Sequence, residues 1–321
     1  MYDLVALGEL LIDFTPIGSS ETGNPRFEAN PGGAPANVLA ALVKLGKKGA
    51  FIGMVGKDQF GDFLRETLIS NGIDATGLKV SPTVNTTLAF VHLDSSGDRS
   101  FSFYRNPGAD MMLDSATVDF ELIKKTKIFH CGSLSLTDEP ARSATLTAIR
   151  FARENGKIIS YDPNYRPPLW SNAGEARKQI QSLLTFTDIL KVSEIELDLI
   201  TGTGDLAKGS AMLSDCGISL ILVTLGPQGC FYRYPGGTGK LEAYQVKTVD
   251  TTGAGDAFLG GVLYWLSELT LEEIRRLDRG KLEEIVNFGN AMGGLATTKN
   301  GAIPAMPEME QVLELIAKLN R

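Results

Sequence analysis

Asp250-Thr251-Thr252-Gly253-Ala254-Gly255-Asp256 runs directly into the apolar stretch Ala257–Leu266, which reads as a helix. Two glycines therefore fall in what should be its first turn, each costing up to about 1 kcal/mol relative to alanine. A cap such as Thr252 would suffice to start the helix, so capping leaves both glycines unexplained. An anion site explains them. Bare backbone at a helix N-terminus lets several N–H groups point at an anion, with the positive end of the dipole behind them. On this reading Gly253, Ala254 and Gly255 form an anion hole, and Asp256 stands one residue past it. A carboxylate there can accept the proton of a hydroxyl attacking a bound phosphoryl group while the amides stabilise the developing charge.

Outward from this motif, short apolar runs alternate with helical patterns. Strands are expected at Leu4–Leu7, Ala50–Val55, Lys127–Cys131, Lys157–Tyr161, Ile189–Val192 and Leu220–Thr224. Helices are expected at Ala36–Leu45, Phe60–Asn71, Ala141–Asn155, Gly174–Phe186 and Asp205–Ser214, with Gly46, Gly72, Gly156 and Gly217 as left-handed stops. Near-continuously apolar strands alternating with helices predict an α/β fold with a mostly parallel sheet covered on both faces. Two stretches break the rhythm. Thr86–Leu93 alternates polar and apolar residues and, with the turn Ser95-Ser96-Gly97-Asp98 and Ser100–Tyr104, predicts a hairpin. Phe14–Asn30 is irregular and rich in Gly, Pro and Ser. Together they predict a small antiparallel excursion over the mouth of the core.

Gly32-Gly33 lets backbone approach a ligand closely, and Asn37 can both donate to and accept from vicinal hydroxyls. Thr224-Leu225-Gly226-Pro227-Gln228-Gly229 follows an apolar strand, where open α/β sheets bind ligands. Two patterns mislead. Gly202-Thr203-Gly204-Asp205-Leu206-Ala207 matches a dinucleotide fingerprint but follows a helix, so it reads as a C-cap running into an N-cap; no Walker-type phosphate loop occurs at all.

The totals bound the partners. With 321 residues, 43% hydrophobic and a formal charge of −7, the chain can bury a large core and suits neither nucleic acid nor an anionic membrane. Cys131, Cys216 and Cys230 are odd in number and scattered, which fits a reducing compartment. The two histidines, His92 and His130, form no ligand cluster. Met1–Val5 has no basic leader and Ala257–Leu266 is too short to span a bilayer, so the cytoplasm is the expected compartment; the sequon Asn85-Thr86-Thr87 is then silent.

Asp250–Asp256, with Asn30-Pro31-Gly32-Gly33-Ala34-Pro35-Ala36-Asn37, resembles the paired signatures of the ribokinase-like, PfkB-type carbohydrate kinases. The likeness runs from Gly8-Glu9 to Gly301–Pro304. It implies a single domain, residues 1–321, of three-layer α/β/α form, with a small β lid made by insertions at about 14–30 and 86–105. It further implies Asp13 as a sugar-hydroxyl acceptor beside Gly32, Gly33 and Asn37. For ATP it implies Thr224, Gly226, Gly229 and Asn290, the last near the adenine. Glu196, in Ser193-Glu194-Ile195-Glu196, would hold Mg²⁺ through water, its usual Asn partner being replaced by Ser193. Backbone around Asp250 and Thr252, with the loop Ala296–Ala305, would hold K⁺. Within the family, the segments Phe103–Met111, Glu139–Ser143 and Asp162–Trp170 are similar to fructokinases. Arg105 and Arg166, at the end of the hairpin and of a core strand, are then expected to face the sugar. The alternatives are a 2-keto-3-deoxygluconate kinase, in which such an arginine meets a carboxylate, and a catalytically silent sugar-binding regulator. A homodimer through the lid is expected by the same analogy.

Overall fold

The computed structural model describes residues 1–93 and 99–319. The expected turn at Ser95–Asp98 lies outside the described residues.

The chain opens with β1 (Tyr2–Leu7), then β2 (Leu11–Ser19) and β3 (Pro25–Gly32), and enters α1 (Ala34–Lys44). β4 (Gly49–Gly56), α2 (Gln59–Ser70) and β5 (Asp74–Ser81) follow, then β6 (Leu88–Leu93) and β7 (Arg99–Tyr104). Next come α3 (Phe120–Lys124), β8 (Thr126–Cys131), α4 (Ala141–Glu154), β9 (Ile158–Tyr161), α5 (Ala173–Gln181), β10 (Ile189–Ser193), α6 (Glu194–Thr201), α7 (Leu206–Ser214) and β11 (Leu220–Thr224). The last part holds β12 (Cys230–Tyr234), β13 (Gly237–Leu241), α8 (Ala254–Leu266), α9 (Leu271–Arg275), α10 (Arg279–Ala296) and α11 (Met309–Leu319).

One sheet carries nine strands in the order β13-β12-β11-β10-β9-β8-β1-β4-β5. All pairs from β11 to β5 are parallel, and β12 and β13 close one edge antiparallel. Successive side chains of a strand point to opposite faces. Leu4, Ala6, Phe51, Ile128, Ile189 and Leu222 accordingly pack on the α1, α8 and α10 side, while Val5, Leu7, Ile52, Phe129, Leu190 and Val223 pack on the α4–α7 side. This is the mostly parallel sheet covered on both faces that the apolar runs predicted, and the three-layer α/β/α form that the resemblance implied. Gly46, Gly72, Gly156 and Gly217 all have positive φ, as their places after helices require. Gly202 is a left-handed C-cap and Asp205 an N-cap holding Lys208 N, so the fingerprint-like pattern is a helix junction.

Three expectations need correction. Phe14–Asn30 is not irregular: most of it lies in β2 and β3, a hairpin whose register shifts between Pro16 and Ser19. That irregularity and the glycines hide the strand period. Nor is the second sheet wholly antiparallel. Its order is β3-β2-β6-β7, and the central pair β2–β6 runs parallel, because the two hairpins enter from separate points of the chain. The helix expected across Gly174–Phe186 stops at Gln181, and Leu184–Phe186 is a 3-10 turn. Strands β5, β12 and β13 had no counterpart in the sequence reading. No helix among the described residues is long and apolar enough to cross a membrane.

The strand order reverses at β1, whose neighbours β8 and β4 lie on either side of it, and ligands of open α/β sheets bind at the carboxyl ends beside such a reversal. Gly8-Glu9, Asp162, Ser193 and Thr224 stand at or just past those ends, and the small sheet supplies a further wall.

Candidate active site

Two cavities meet at the Asp250–Asp256 motif. The larger, about 450 Å³, is lined by Thr224, Gly226, Gly229 and Asn290 together with Thr251, Ala254 and Gly255. The smaller is lined by Asp13, Gly33, Asn37 and Arg166 together with Thr252, Gly253 and Asp256. One short segment therefore faces both, and the start of α8 is the wall between them.

That start has no side-chain cap. Its N-cap is Gly253, left-handed at φ 74°, rather than Thr252. A Cβ at Gly253 would meet Ala302 Cβ at 2.8 Å. The first N–H groups of a helix have no partner within it, so the amides of Gly255 and Asp256 point out of the helix end. Asp250 fixes the approach: Thr252 N and Gly301 N donate to its carboxylate at 2.7 and 3.0 Å, and Val249 N and Asp250 N donate to Thr297 O. The loop expected beside Asp250 and Thr252 is thus adjacent to them.

Asp256 is 7% exposed and accepts from Asn37 Nδ2 at 2.8 Å. Burial, then the nearby Asp162 carboxylate, pushes its pKa up to about 6, against the pull of Lys191, Asn37 and Arg166. Asp13 is pushed up to about 7 by burial, with Arg166 opposing and Asp250 and Asp256 adding to the rise. A Cβ at Gly32 would strike the Asp13 carboxylate, so Gly32 makes room for it without lining the cavity. Asn37 Oδ1 is buried with no hydrogen-bond partner among the described residues. A sugar hydroxyl is a partner of the right kind. Arg166 lies over Phe101 at 5.9 Å, and its guanidinium makes one hydrogen bond among the described residues, to Tyr165 O at 3.2 Å.

Arg105 is where expectation and structure part. Its side chain is buried in an ion pair with Asp110, with Nε and Nη2 at 2.8 and 2.7 Å from Oδ2. Nη1 donates to Thr137 Oγ1 and Nη2 to Leu134 O. Its donors are spent on anchoring the end of β7, and it lies outside both cavity walls. Glu196 is likewise set back: it completes the capping box of α6, accepting from Ser193 N and Oγ, and takes Tyr165 N on its other oxygen. Ser193 thus has a capping role.

The sequence reading missed several residues. Lys191, on β10, is 6% exposed and donates to Asp162 Oδ2 at 2.9 Å. Burial works against its charge, yet Asp162, Glu196 and Asp256 together hold its pKa above the ordinary lysine value. Its ammonium lies 2.8 Å from where a Cβ on Gly255 would stand, which puts a cation beside the anion hole. A lysine inside the apolar run Ile189–Val192 was the available signal. Asn164 lines the smaller cavity in a left-handed conformation at φ 46°, uncommon away from glycine and found at functional sites. Phe101 and Phe103 line it from β7, and Glu9 from beyond β1.

Asn290 is positioned by donating Nδ2 to Glu242 O at 3.1 Å. Among the described residues no group of three or more His, Cys, Asp or Glu side chains is placed to hold a metal ion.

Known proteins match this arrangement along the whole chain. Fructokinase-2 of Solanum lycopersicum is 45% identical over 316 residues, covering 98% of this chain and 95% of that protein. A fructokinase from Xylella fastidiosa, solved with bound ATP, superposes with a TM-score of 0.90 at 33% identity and full coverage of both chains. A fructokinase from Vibrio cholerae O395, solved with fructose, ADP and calcium ion, does so with a TM-score of 0.88 at 35% identity, covering 97% of this chain and 98% of that one. The model for the pfkB family carbohydrate kinases matches residues 1–309, and the chain belongs to that family.

Proposed function

We propose that the protein transfers the γ-phosphoryl group of ATP to fructose, giving fructose 6-phosphate and ADP, with Asp256 as the base. The observation that carries this reading is the shared wall. The first turn of α8 borders the larger cavity through Ala254 and Gly255 and the smaller one through Gly253 and Asp256. A nucleotide in the first and a sugar in the second would meet across those amides.

ATP fits the larger cavity, whose glycine turn at the end of β11 and helix N-terminus are the features that receive phosphates. The sugar would be held by Asp13, Asn37 and Arg166, with Asn164 beside them and the faces of Phe101 and Phe103 as an apolar wall. Asp256 would take the hydroxyl proton, Asn37 would orient it, and the amides of α8 with Lys191 would stabilise charge on the moving phosphoryl group. Fructose as acceptor is supported by the fructokinase relatives, one of which holds that sugar. A bound Mg²⁺ supplies charge neutralisation on the phosphates. Glu196, whose oxygens keep lone pairs beyond their present bonds, would reach it through water. A K⁺ on backbone carbonyls around Asp250 and Thr252 belongs to the same proposal. So does the small sheet as a lid on one kinase domain.

The test is ATP consumption by purified protein with and without fructose. Fructose-dependent ADP release with fructose 6-phosphate as product is expected; no sugar-dependent turnover would leave the silent regulator.

A further inference from the structure

Ala34, the first residue of α1, donates its backbone N–H to Glu9 Oε1 at 2.8 Å. The helix has no such acceptor of its own. Its N-cap is Gly33, Pro35 occupies the second position, and its first turn holds no acid. Helix starts are normally satisfied by a nearby side-chain oxygen, preferably with negative charge. Here the oxygen comes from another part of the chain. The fit between the two segments is close: a Cβ at Gly33 would run into the Glu9 carbonyl oxygen, and one at Gly8 would meet Pro35 Cγ at 2.6 Å. In the same first turn of α1, Asn37 N donates to Gly33 O at 2.9 Å and Asn37 Nδ2 to Asp256 Oδ2 at 2.8 Å.

We infer that Glu9 is a positioning residue: by capping α1 from outside, it sets the place of Asn37 and, through Asn37, the carboxylate of Asp256. This rests on reading Asp256 as the base. Glu9 borders the smaller cavity and its second oxygen is buried without a partner among the described residues, but its link to Asp256 runs through Ala34, the first turn of α1 and Asn37. Burial pushes its carboxyl up to about 7. A neutral acid still accepts through its carbonyl oxygen, so the cap requires an acceptor rather than a charge, and glutamine should serve.

The experiment compares Glu9→Leu, Glu9→Gln, Asn37→Ala and the Glu9→Leu/Asn37→Ala double variant. Turnover is read on whichever of fructose, 2-keto-3-deoxygluconate and ribose the wild type uses fastest, and amide exchange at Ala34 is read alongside. Glu9→Leu is expected to lower kcat about 10–100-fold, the scale of a misplaced catalytic group, with KM for ATP held within about twofold. Glu9→Gln should restore most of the lost kcat, and the double variant should be no slower than Asn37→Ala alone. Exchange at Ala34 should rise in Glu9→Leu and not in Glu9→Gln. Losses that multiply across the two sites, a Gln variant as slow as Leu, or wild-type exchange at Ala34 in Glu9→Leu would each overturn the relay. If Glu9→Leu does not fold, Glu9→Asp, which withdraws the acceptor by one methylene, takes its place. A wild type inactive on fructose would remove only the fructose assignment, because exchange and any other sugar still decide the relay.

Discussion

The ammonium of Lys191 lies 2.8 Å from the position that a Cβ on Gly255 would take. A side chain at 255 therefore forces the ammonium beside the anion hole to move. Gly255→Val should displace Lys191 and cover the first amides of α8. Removing one oxyanion donor costs about 3–4 kcal/mol in other enzymes, a fall of about 10²–10³ in kcat. Steady-state kinetics with a thermal melt would check it. A Gly255→Val enzyme with wild-type turnover would mean the glycine serves the helix start alone.

Asp256→Asn should lower kcat by about 10²–10⁴ while sugar binding survives, since asparagine keeps an acceptor for Asn37. It should also stabilise the fold above neutrality. Folding raises the Asp256 pKa to about 6, so it favours the protonated form, and stability is lost as pH rises through that value. Removing the ionisable group relieves a burden on the order of 3 kcal/mol at pH 8, and none near pH 3. Melting temperatures of both proteins at the two pH values test this; equal temperatures at pH 8 would contradict the raised pKa.

The same shift bears on catalysis. Asp256 at about 6 and Asp13 at about 7 share one cavity, and the charge of Asp256 adds to the rise of Asp13. The acid limb of kcat/KM for the sugar should fall between those values. Lys191 favours ionised Asp256, so Lys191→Met should move the limb to higher pH as well as lower kcat. A limb below pH 5 in the wild type, or one unmoved in Lys191→Met, would count against this assignment.

Arg105 and Arg166 should separate cleanly. Arg105→Ala strips a buried ion pair and leaves Asp110 uncompensated, which costs about 3–5 kcal/mol of stability. Arg166→Ala should melt near wild type and raise KM for the sugar. A stable Arg105→Ala protein with impaired sugar binding would restore Arg105 to the site.

How these two arginines were told apart marks the boundary of what the sequence says. Their positions after a strand put both near the cleft, but which way a guanidinium turns depends on Asp110 and Thr137, whose proximity only the fold creates. The core strands were legible because burial on both faces writes continuous apolar runs such as Leu220–Val223. β12 and β13 were not, being an edge hairpin of mixed Tyr, Arg and Gly whose burial comes from neighbours far along the chain. Asp256 and its glycines could be read because the helix start makes no sense without a ligand. Glu9 could not, since its role is a contact with Ala34 that no local pattern encodes.

Substrate choice follows from the same cavity. 2-Keto-3-deoxygluconate brings a carboxylate and lacks the C3 hydroxyl that fructose has. Arg166 is a cation in the smaller cavity, but Asp13 and Asp256 share the space with it, and Asn37 Oδ1 lacks a donor among the described residues. A third anion must therefore be placed beside two carboxylates, while a neutral polyol offers hydroxyls to all of them. A site built to hydrogen-bond hydroxyls discriminates strongly against an analogue lacking one. Wild type is expected to show at least about tenfold higher kcat/KM for fructose, a gap of about 1.4 kcal/mol. In Arg166→Ala, turnover of the acid should fall further than that of fructose, because a charge-assisted bond is worth about 1.5–3 kcal/mol. Kinetics on both sugars at fixed ATP decide it. A preference for the acid would transfer the substrate assignment to 2-keto-3-deoxygluconate and make Arg166 its carboxylate partner, with Asp256 and the anion hole unchanged.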